Sequence, residues 1–589
     1  MPHITKSLFI DFMDYPKLAR RKANNPTVYK KISWLETEEA EAHIMAIGKA
    51  LEDKVKDLLE IQLKTQALDL MPHFHKLRDQ DSDDDDEVLV KSELDLPKAI
   101  SDTITAIKSQ VPLLYQPTFV YGDCLVRADF MVWNGFSYDL YEAKAKSSIR
   151  KSVKDDWEDK PIWEIEKRFI HDLSFQAFVI NKVLESENLP KLQNIYIAYL
   201  NKEYIKKWPI LLSQLLTQDQ TWISREIQIT QRNKPTLKLI DDLLISDNEI
   251  AKQIDRLKSY ISLTEDEANR QFLRAGTRYL EYFWEDKPFG TIMWMWIHHS
   301  NASYIQDLFY SDRKDIIWLT DDEINWFNDN WQQFIAKYLD CKKSWLPIIQ
   351  KDKIKEVFDG FKYPICFYDY ETISVPVPIM DDTRPYMQTI VQYSLHKYYE
   401  DGTMKHYGWV LIWLGDYKSE NIYISDNPNA VDEEYDKAIT WNYKDLLLQM
   451  VNDIWEDLNN STFVVWHKWF ENSRNNEVSR IYPELATAFQ TINNNTYDLK
   501  DIIANGYYFD IRCKWSASIK KVLPVLVPNM DYSALEIGRW DIAMRALYDL
   551  ISWATPQDSR TQTIVDLLKY CWQDTLAMVR IFETLKRLI

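Results

Sequence analysis

A short apolar run that ends in two carboxylates places the strongest constraint on the fold of this chain. Residues Ile365–Glu371 read Ile-Cys-Phe-Tyr-Asp-Tyr-Glu, which is the pattern of a buried β-strand. Side chains alternate between the two faces of a strand, so Asp369 and Glu371 point to the same side. Neighbouring carboxylates repel each other, and burial increases that repulsion. The pair therefore predicts either a solvated strand end or a site for a divalent cation such as Mg²⁺, which prefers oxygen ligands.

Length and composition favour a large globular protein made of several domains. The 589 residues predict about three or four domains, and the chain is 46% hydrophobic and 27% charged. It has 11 glycines and no phosphate-binding loop of the GxxxxGK[ST] or GxGxxG type, which disfavours a phosphotransferase. The formal net charge of −19 means that any contact with nucleic acid must use local basic patches or metal ions.

The cysteine pattern and the hydropathy predict a cytoplasmic location. Five cysteines are scattered without a CxxC pair, which favours reduced thiols over a disulfide framework, a zinc site or an iron–sulfur site. No apolar run approaches the roughly 18 residues needed to cross a bilayer, and the N-terminus lacks the apolar core of a signal peptide. We therefore expect no membrane association.

Residues 1–200 are predicted to form an N-terminal α/β domain. The first 78 residues have helical spacing, and residues 80–87 form an acidic run that predicts a solvated or disordered loop. A helix is predicted over Ile165–Leu184. The predicted strands are Thr118–Val120, Leu125–Met131, Tyr138–Lys144 and Ile195–Tyr199.

The remaining chain is predicted to contain a mostly helical connecting region, residues 201–360, and a C-terminal α/β domain, residues 361–589. Helical patterns in the connecting region are clear at Asp247–Ser262 and Glu265–Trp284. In the C-terminal domain, strands are predicted at Ile365–Glu371, Gln388–Tyr398, His406–Ile412 and Thr462–His467, and helices at Tyr443–Leu458 and Thr563–Leu588.

Further polar residues of the C-terminal domain accompany the acidic pair. Glu471 follows a predicted strand, and Tyr570 and Asp574 lie four residues apart on one face of the last helix. Taken alone, Tyr570 and Asp574 would be an ordinary helix-surface pair. The ordered set of the acidic pair, Glu471, Tyr570 and Asp574 is harder to produce by chance.

In this order the motifs resemble the DnaQ-type (DEDD) 3′–5′ exonucleases, in the subtype with Tyr in the last motif. The resemblance implies an RNase H-like fold and a water-orienting role for Tyr570. It also implies that four carboxylates hold two Mg²⁺ or Mn²⁺ ions, the arrangement that two-metal phosphodiester hydrolysis needs. Most of these exonucleases carry Asp at the third ligand, where this chain has Glu, so that residue most needs a test. The implied ligands are Asp369, Glu371, Glu471 and Asp574.

A second group of polar residues lies in the N-terminal domain. Asp129 falls on one predicted strand, Glu142-x-Lys144 on the next, and Gln176 on the following helix. This order resembles the PD-(D/E)xK nuclease core, closest to its RecB-like branch. The resemblance implies that the two acids hold Mg²⁺, that Lys144 polarises the phosphate or water, and that Gln176 helps to fix the site, with Glu52 as a further ligand. The alternative is an exposed hairpin with a cross-strand ion network.

The chain departs from the RecB-like pattern at two points. Relatives in that branch usually carry four cysteines for an iron–sulfur cluster, whereas Tyr15 stands where the first cysteine is expected, so we expect no cluster. Ile180 stands where a Tyr commonly follows the helix Gln. An uncharacterised bacterial family, carrying a numbered domain of unknown function, pairs the two domains, and this chain is similar to it at Asp382–Tyr386, Gln392–His396, Phe470–Glu471, Ser518–Pro524 and Tyr570–Asp574.

These resemblances imply a metal-dependent nuclease that acts on DNA or RNA, either single-stranded or with free ends. The C-terminal domain would trim strands from 3′ to 5′. The alternative is a catalytically reduced nucleic-acid-binding or scaffold protein that keeps the folds, which the substituted Glu471 and the missing cysteines motivate. Basic residues that we predict as phosphate contacts are Lys146, Arg150, Lys151, Lys154, Lys520 and Lys521.

Overall fold

The structure is a computed structural model that describes most of the chain, with several gaps. Of the predicted acidic loop, residues 80–86 lie outside the described ranges. The described residues are 3–26, 38–70, 77–78, 87–88, 95–147, 150–153, 162–207, 210, 212–216, 226–231, 234–239, 244–270, 319–325, 329–411, 439–440, 443–514, 516–533, 535–552, 555–556 and 558–589.

The fold is a mixed α/β arrangement of several sheets and many helices, so the predicted α/β multidomain class is confirmed. Within this class, the chain divides into two compact units. Unit 1 comprises Met1–Phe283 and Val375–Tyr386, and unit 2 comprises Trp284–Ser374 and Met387–Ile589.

The helices of the predicted connecting region, residues 201–360, are divided between the two units. The helix Asp247–Ile261 belongs to unit 1, where Ile250 and Leu257 are fully buried in the core. The helix Asp329–Ser344 belongs to unit 2. The predicted boundaries at 200 and 360 therefore differ from these units, because a helical pattern shows that a face is apolar and does not show which partner covers it.

Unit 1 contains short strands and eight described helices. Its strands are β1 (Ile4–Thr5), β2 (Leu68–Asp69), β3 (Leu77–Arg78), β4 (Glu87–Val88), β5 (Leu113–Tyr115), β6 (Thr118–Tyr121), β7 (Cys124–Arg127), β8 (Phe130–Trp133), β9 (Tyr138–Lys144), β10 (Arg150–Val153), β11 (Ile162–Ile165), β12 (Ile195–Tyr199), β13 (Glu226–Gln231) and β14 (Lys234–Leu239). Its helices are α1 (Lys6–Asp14), α2 (Pro16–Asn24), α3 (Glu38–Leu63), α4 (Leu96–Lys108), α5 (Lys167–Ser186), α6 (Leu212–Leu216), α7 (Asp247–Ile261) and α8 (Glu265–Arg270).

A five-stranded sheet with the order β12-β9-β8-β5-β2 forms the centre of unit 1. It is parallel at both edges and antiparallel across β9, β8 and β5. Leu140 and Ile197 on one face join the core that contains α5 and α7, whereas Tyr115 and Phe130 on the other face pack with α3. A smaller sheet, β1-β7-β6, contacts α5. Helices on both faces bury the large apolar side chains of this sheet, each of which contributes roughly 1.5–3 kcal/mol.

Strand β7 ends before Asp129, although the sequence analysis placed Asp129 within a strand. The predicted strand Leu125–Met131 is two strands, β7 and β8, separated by Ala128 and Asp129. The chain changes sheets at this point, because Ala128 N–H donates to the carbonyl of Pro117 while the carbonyl of Asp129 accepts from Gln116 N–H. Asp129 therefore lies at a break between two sheets, where its side chain can turn toward the next strand.

Unit 2 contains the acidic strand and the last helix. Its strands are β15 (Ile348–Ile349), β16 (Ile365–Ile373), β17 (Thr389–Tyr398), β18 (Met404–Leu411), β19 (Ile439–Thr440), β20 (Thr462–Val465), β21 (Thr496–Asp498) and β22 (Tyr508–Phe509). Its helices are α9 (Asp321–Ile324), α10 (Asp329–Ser344), α11 (Lys351–Asp359), α12 (Tyr443–Ile454), α13 (Lys468–Ile481), α14 (Ala486–Asn494), α15 (Asp501–Ala504), α16 (Ile519–Leu526), α17 (Trp540–Ile551) and α18 (Arg560–Leu588), with 3₁₀ turns at Pro483–Leu485 and Ile511–Cys513.

Strand β16 lies inside a six-stranded mixed sheet with the order β19-β18-β17-β16-β20-β21. It pairs antiparallel with β17 and parallel with β20, and α18 packs across β16, β17 and β18. A bulge leaves Val391 as an extra residue of β17, because Gln392 opposes Glu371 while Ile390 opposes Thr372. A bulge locally bends a strand and re-aims its side chains, so this irregularity falls at the acidic end of β16.

Two further expectations concern membrane-spanning helices and the cysteines. Among the described residues, no helix is both long and apolar enough to span a membrane. All five cysteines lie in described ranges, where each is buried and none forms a disulfide.

Candidate metal centres in the two units

Strand β16 supplies the centre of the candidate site in unit 2. Asp369 and Glu371 lie on the face of β16 that α18 covers. One carboxylate oxygen from each residue and the Sγ atom of Cys571 on α18 lie within 4.8 Å of one another, a grouping that could hold a metal ion. The sequence analysis did not include Cys571, although its position directly after Tyr570 could have suggested it.

Two other carboxylates and a tyrosine complete this site. Glu471 lies in the first turn of α13, directly after β20, and Tyr570 and Asp574 lie one turn apart on α18. Glu371, Glu471 and Asp574 are only 3%, 2% and 8% exposed. The carboxyl groups of Glu471 and Asp369 are close enough that the charge of Asp369 raises the pKa of Glu471. The structure thus brings together the five residues predicted for this site from distant parts of the chain.

Burial raises the pKa of all four carboxyl groups, and repulsion between carboxylates adds to the rise for Asp369, Glu371 and Glu471. Burial raises the pKa of Asp369 well above its ordinary value, and the charge of Asp574 adds to the rise. Burial, and then Asp369, likewise raise the pKa values of Glu371 and Glu471. Burial raises the pKa of Asp574 to about 6, against the opposing effect of its hydrogen bonds. The site therefore favours protons when no cation balances its negative charge.

Two carboxylate oxygens in the site have no hydrogen-bond partner. These are Oε2 of Glu371 and Oε2 of Glu471, both buried. A buried, unpaired carboxylate oxygen costs free energy unless a donor or a cation reaches it. The oxygen-rich donor set therefore fits a hard divalent cation such as Mg²⁺ or Mn²⁺. Burial raises the pKa of the Cys571 thiol, so the thiol stays neutral and leaves the carboxylates as the charged groups.

Tyr532, in the loop between α16 and α17, is a site residue that the sequence analysis missed. Its hydroxyl donates a 2.5 Å hydrogen bond to Oδ1 of Asp574. No periodic pattern surrounds this loop residue, so only the folded chain shows its role. Lys520, predicted as a phosphate contact, places its Nζ 5.2 Å from the ring centroid of Tyr532 and 5.4 Å from that of Tyr570. Its charge lowers the pKa of Asp574, whereas Lys521 is exposed to solvent.

A nearby acid, Asp498, has a structural role and is not one of the proposed metal ligands. Asp498, at the end of β21, accepts hydrogen bonds from the backbone N–H groups of Lys468 at 2.9 Å and Lys500 at 3.1 Å. The bond to Lys468 holds the start of α13, the helix that carries Glu471. Asp498 therefore positions this helix while its own oxygens are satisfied by backbone donors.

The structure also brings together the predicted acids of unit 1. Glu142 on β9 is 1% exposed, and Asp129 accepts a 2.8 Å hydrogen bond from Ala143 N–H. Gln176 on α5 donates to Oε2 of Glu142 at 2.9 Å, and Lys144 donates to Oε1 at 2.6 Å. The predicted alternative of an exposed hairpin does not apply, because these acids are buried beneath α5.

Two residues of the unit 1 site, Lys6 and Asp172, were missed by the sequence analysis. Lys6 at the start of α1 donates to Oε1 of Glu142 at 2.7 Å, and its Nζ lies 3.9 Å from Asp129. Asp172 on α5 pairs with Lys144 at 2.6 Å. The position of Asp172, one turn before Gln176, was a visible signal. Lys6 is separated by more than 100 residues from the acids, and no sequence signal pointed to it.

Charge in unit 1 is thus balanced by the protein itself. Burial would raise the pKa of Glu142, but the ammonium groups of Lys144 and Lys6 lower it to about 2. Burial and repulsion from Glu142 raise the pKa of Asp129 to about 8. These opposite shifts are typical of two acids that share one site.

The other predicted residues of unit 1 lie in different settings. Glu52 on α3 accepts hydrogen bonds from Tyr115 Oη at 3.0 Å and from Gln116 at 3.1 Å, and its charge adds to the raised pKa of Asp129. Lys146 is exposed just beyond β9. Of the remaining predicted phosphate contacts, Arg150 and Lys151 begin β10, and Lys154 lies outside the described residues.

Part of this chain is similar to uncharacterised proteins from Mycoplasma and Ureaplasma species. Residues 366–518 match the family described as Domain of unknown function (DUF2779). The homologue of MG366 in Mycoplasma pneumoniae, an uncharacterised protein, is 26% identical over 241 residues, which cover 39% of this chain and 33% of that protein. The uncharacterised protein MG366 of Mycoplasma genitalium is 26% identical over 254 residues, which cover 40% and 34%. The uncharacterised protein UU173 of Ureaplasma parvum is 25% identical over 250 residues, which cover 40% and 33%.

These similarities do not identify an activity for this chain. Each alignment covers about a third of the length of the relative. No solved structure matches the chain. The matched domain includes Asp369, Glu371 and Glu471, whereas Tyr570 and Asp574 lie beyond its end.

Proposed function

We propose that unit 2 is a metal-dependent nuclease that hydrolyses phosphodiester bonds in DNA or RNA, from the 3′ end toward the 5′ end. The observation that carries this proposal is the convergence of four carboxyl groups at the acidic end of β16, three of them buried and two of them with an unpaired oxygen. A mixed sheet with a central acidic strand, covered by the long helix α18, supports an RNase H-like assignment of the DnaQ type. Unit 1 would be a RecB-like PD-(D/E)xK domain.

The proposed ligands are Asp369, Glu371, Glu471 and Asp574. When bound, two Mg²⁺ or Mn²⁺ ions would activate water and neutralise charge on the leaving oxygen. Four carboxylates supply about the negative charge that two such ions need. Bound cations would also replace the protons that the raised pKa values of these groups favour.

The chain's own residues would orient the reactants. The Tyr570 hydroxyl lies beside Asp574 and would hold the attacking water by a hydrogen bond. Burial and the nearby carboxylates raise the pKa of Tyr570, so this hydroxyl keeps its proton and acts as a donor. The Lys520 ammonium, held at 3.0 Å from the carbonyl of Gly538, would attract a substrate phosphate toward the acids.

The proposal is tested by degradation of single strands labelled at either end. With Mg²⁺ or Mn²⁺, we expect a 5′-labelled strand to give a ladder of shortening products, and a 3′-labelled strand to release its label at once as a mononucleotide. Strands of DNA and of RNA should be compared, and EDTA should stop the reaction. An absence of cleavage with either metal, while the strand still binds, would contradict the proposal and favour the alternative below.

We expect Tyr532→Phe to move the acid limb of the pH–rate profile toward higher pH by roughly one unit. The substitution removes the hydrogen bond that lowers the pKa of Asp574, so a larger fraction of Asp574 is protonated near pH 6. The measurement is kcat/KM between pH 5 and 9. Tyr508→Phe is the matched control, because Tyr508 donates to Asp510 at 3.2 Å outside the site. Equal profiles for both variants would contradict this role of Tyr532.

We expect Glu471→Asp to weaken Mn²⁺ binding to unit 2 by roughly 10-fold or more. The shorter side chain withdraws a carboxyl group that interacts electrostatically with Asp369 in the site. Free Mn²⁺ can be followed by electron paramagnetic resonance during a titration. Glu477→Asp on the same helix should bind Mn²⁺ like the wild type. Unchanged or tighter binding by Glu471→Asp would show that the extra methylene is not needed for ligation.

A second function is a nucleic-acid-binding or scaffold role with reduced catalysis. The observation that favours it is in unit 1, where Glu142 already accepts hydrogen bonds from two lysines and a glutamine. An acid satisfied in this way has less need of a cation. The two functions are separated by the degradation assay together with a binding assay on the same strands.

A further inference from the structure

The ammonium group of Lys6 lies between the two acids of unit 1. Its Nζ is 2.7 Å from Oε1 of Glu142 and 3.9 Å from Oδ1 of Asp129. These are the two groups that would bind a cation if unit 1 is a PD-(D/E)xK domain. A positive charge that lies between two buried carboxylates balances them as a bound cation would.

The N-terminal segment holds Lys6 in this position through regular structure. Strand β1 pairs parallel with β7, with Ile4 opposite Cys124, and the Thr5 side chain caps α1 by accepting from Leu8 N–H. The ring of Phe9 stacks on that of Phe175 with centroids 4.8 Å apart, so α1 is packed against the helix that carries Gln176. The backbone of Lys6 is therefore placed by the same elements that build the site.

Lys6 and Lys144 differ in how firmly their ammonium groups are held. Lys144 is bound on two sides, by Glu142 and by Asp172, each at 2.6 Å, and its side chain is 19% exposed. Lys6 is 30% exposed, and its flexible four-carbon stem lets the ammonium group turn toward solvent while the backbone stays in place. Of these two lysines, Lys6 is therefore the one that an incoming cation would displace.

We propose that Lys6 occupies the cation position between Asp129 and Glu142 in the metal-free protein, and that a divalent cation binds unit 1 only by displacing its ammonium group. The inference rests on the proposed PD-(D/E)xK character of unit 1. The Lys6 ammonium group would compete with cations for the unit 1 site and weaken metal binding there. It would have no role in the unit 2 site. Metal occupancy of unit 1 then requires a higher concentration of cation than it would without Lys6.

The test is a Mn²⁺ titration, followed by electron paramagnetic resonance, of the full chain carrying Asp369→Asn and Glu371→Gln to remove the unit 2 site. In this background, Lys6→Met is expected to bind Mn²⁺ at least tenfold more tightly than the chain with Lys6. It should also show a larger rise in melting temperature on addition of Mn²⁺. Adding Glu142→Gln to Lys6→Met should abolish both effects, which assigns the bound ion to unit 1.

Lys22→Met is the matched control. Lys22 forms an ion pair of the same length, 2.7 Å, with Asp11, and its side chain is 26% exposed, but it lies outside the site. It should leave the Mn²⁺ affinity unchanged. Lys6→Arg, which keeps the charge, should bind Mn²⁺ as weakly as the chain with Lys6 and serves if Lys6→Met fails to fold.

Two results would overturn the inference. The first is an unchanged or weaker Mn²⁺ affinity in Lys6→Met, and the second is tighter binding by Lys6→Arg. Because the readouts are metal affinity and thermal stability, they do not depend on cleavage. A protein that cleaves no strand can still confirm the role of Lys6, so failure of the proposed nuclease activity is a separate outcome.

Discussion

Asp369→Asn should lower the rate of metal-dependent strand degradation by roughly 10³-fold or more. Asp369 lies at the centre of the unit 2 site, close to Glu371 and Cys571 and within the electrostatic influence of Glu471 and Asp574. The amide keeps the size of the side chain but removes one negative charge and one ligand oxygen. The measurement is the initial rate on a 5′-labelled single strand at saturating Mn²⁺.

Glu142→Gln is the matched comparison, because it removes a buried carboxylate from unit 1 alone. If unit 2 carries the cleavage, Glu142→Gln retains most of the rate that Asp369→Asn loses. The reverse pattern would move the cleavage to unit 1. Melting temperatures without metal show whether either variant has lost its fold, and we expect Asp369→Asn to melt no lower than the wild type, since it relieves repulsion in the site.

Asp574→Asn should stabilise the metal-free protein at pH 8 by up to about 3 kcal/mol. The pKa of Asp574 is raised from 3.8 to about 6 in the folded state, so folding favours its neutral form. The wild type therefore has its full stability from this group below about pH 4 and loses it as the pH rises toward 6. Asparagine stays neutral and can still accept the hydrogen bond from Tyr532.

The prediction is checked by denaturant unfolding at pH 4 and pH 8 in EDTA, followed by the same measurement with Mg²⁺. The difference between Asp574→Asn and the wild type should be near zero at pH 4 and large at pH 8. Mg²⁺ should stabilise the wild type at pH 8 but have little effect on the variant. Asp566→Asn on the same helix is the control, with an expected change within about 0.5 kcal/mol. A variant less stable than the wild type at pH 8 would contradict the proposed cost of burying the charged Asp574 carboxylate.

The buried glutamates of the two units have opposite pKa shifts. In unit 1, lysines satisfy Glu142 and lower its pKa. In unit 2, burial raises the pKa of Glu371 and Glu471, and each keeps an oxygen without a partner. Unit 2 therefore has more to gain from a cation, and this difference is why we propose that hydrolysis takes place there.

Local patterns in the sequence were sufficient for the main elements of both units. The predicted strand Tyr138–Lys144 matches β9 at both ends, and the predicted strand Ile195–Tyr199 matches β12. The last helix starts at Arg560, three residues before its predicted start. Alternation and helical spacing are properties of neighbouring residues, so they can be read without knowing the fold. The split of Leu125–Met131 could not be read in this way, because it depends on two sheets meeting at Asp129.

The sequence by itself determined that Asp369 and Glu371 share one face of a buried strand, since two residues of separation in a strand always have this result. It also determined that Tyr570 and Asp574 share a helix face. Only the tertiary structure decided that Tyr532 and Cys571 join these acids, and that Lys6 lies between Asp129 and Glu142. Such contacts join residues far apart in the chain, and their positions depend on how sheets and helices pack, which no local pattern records.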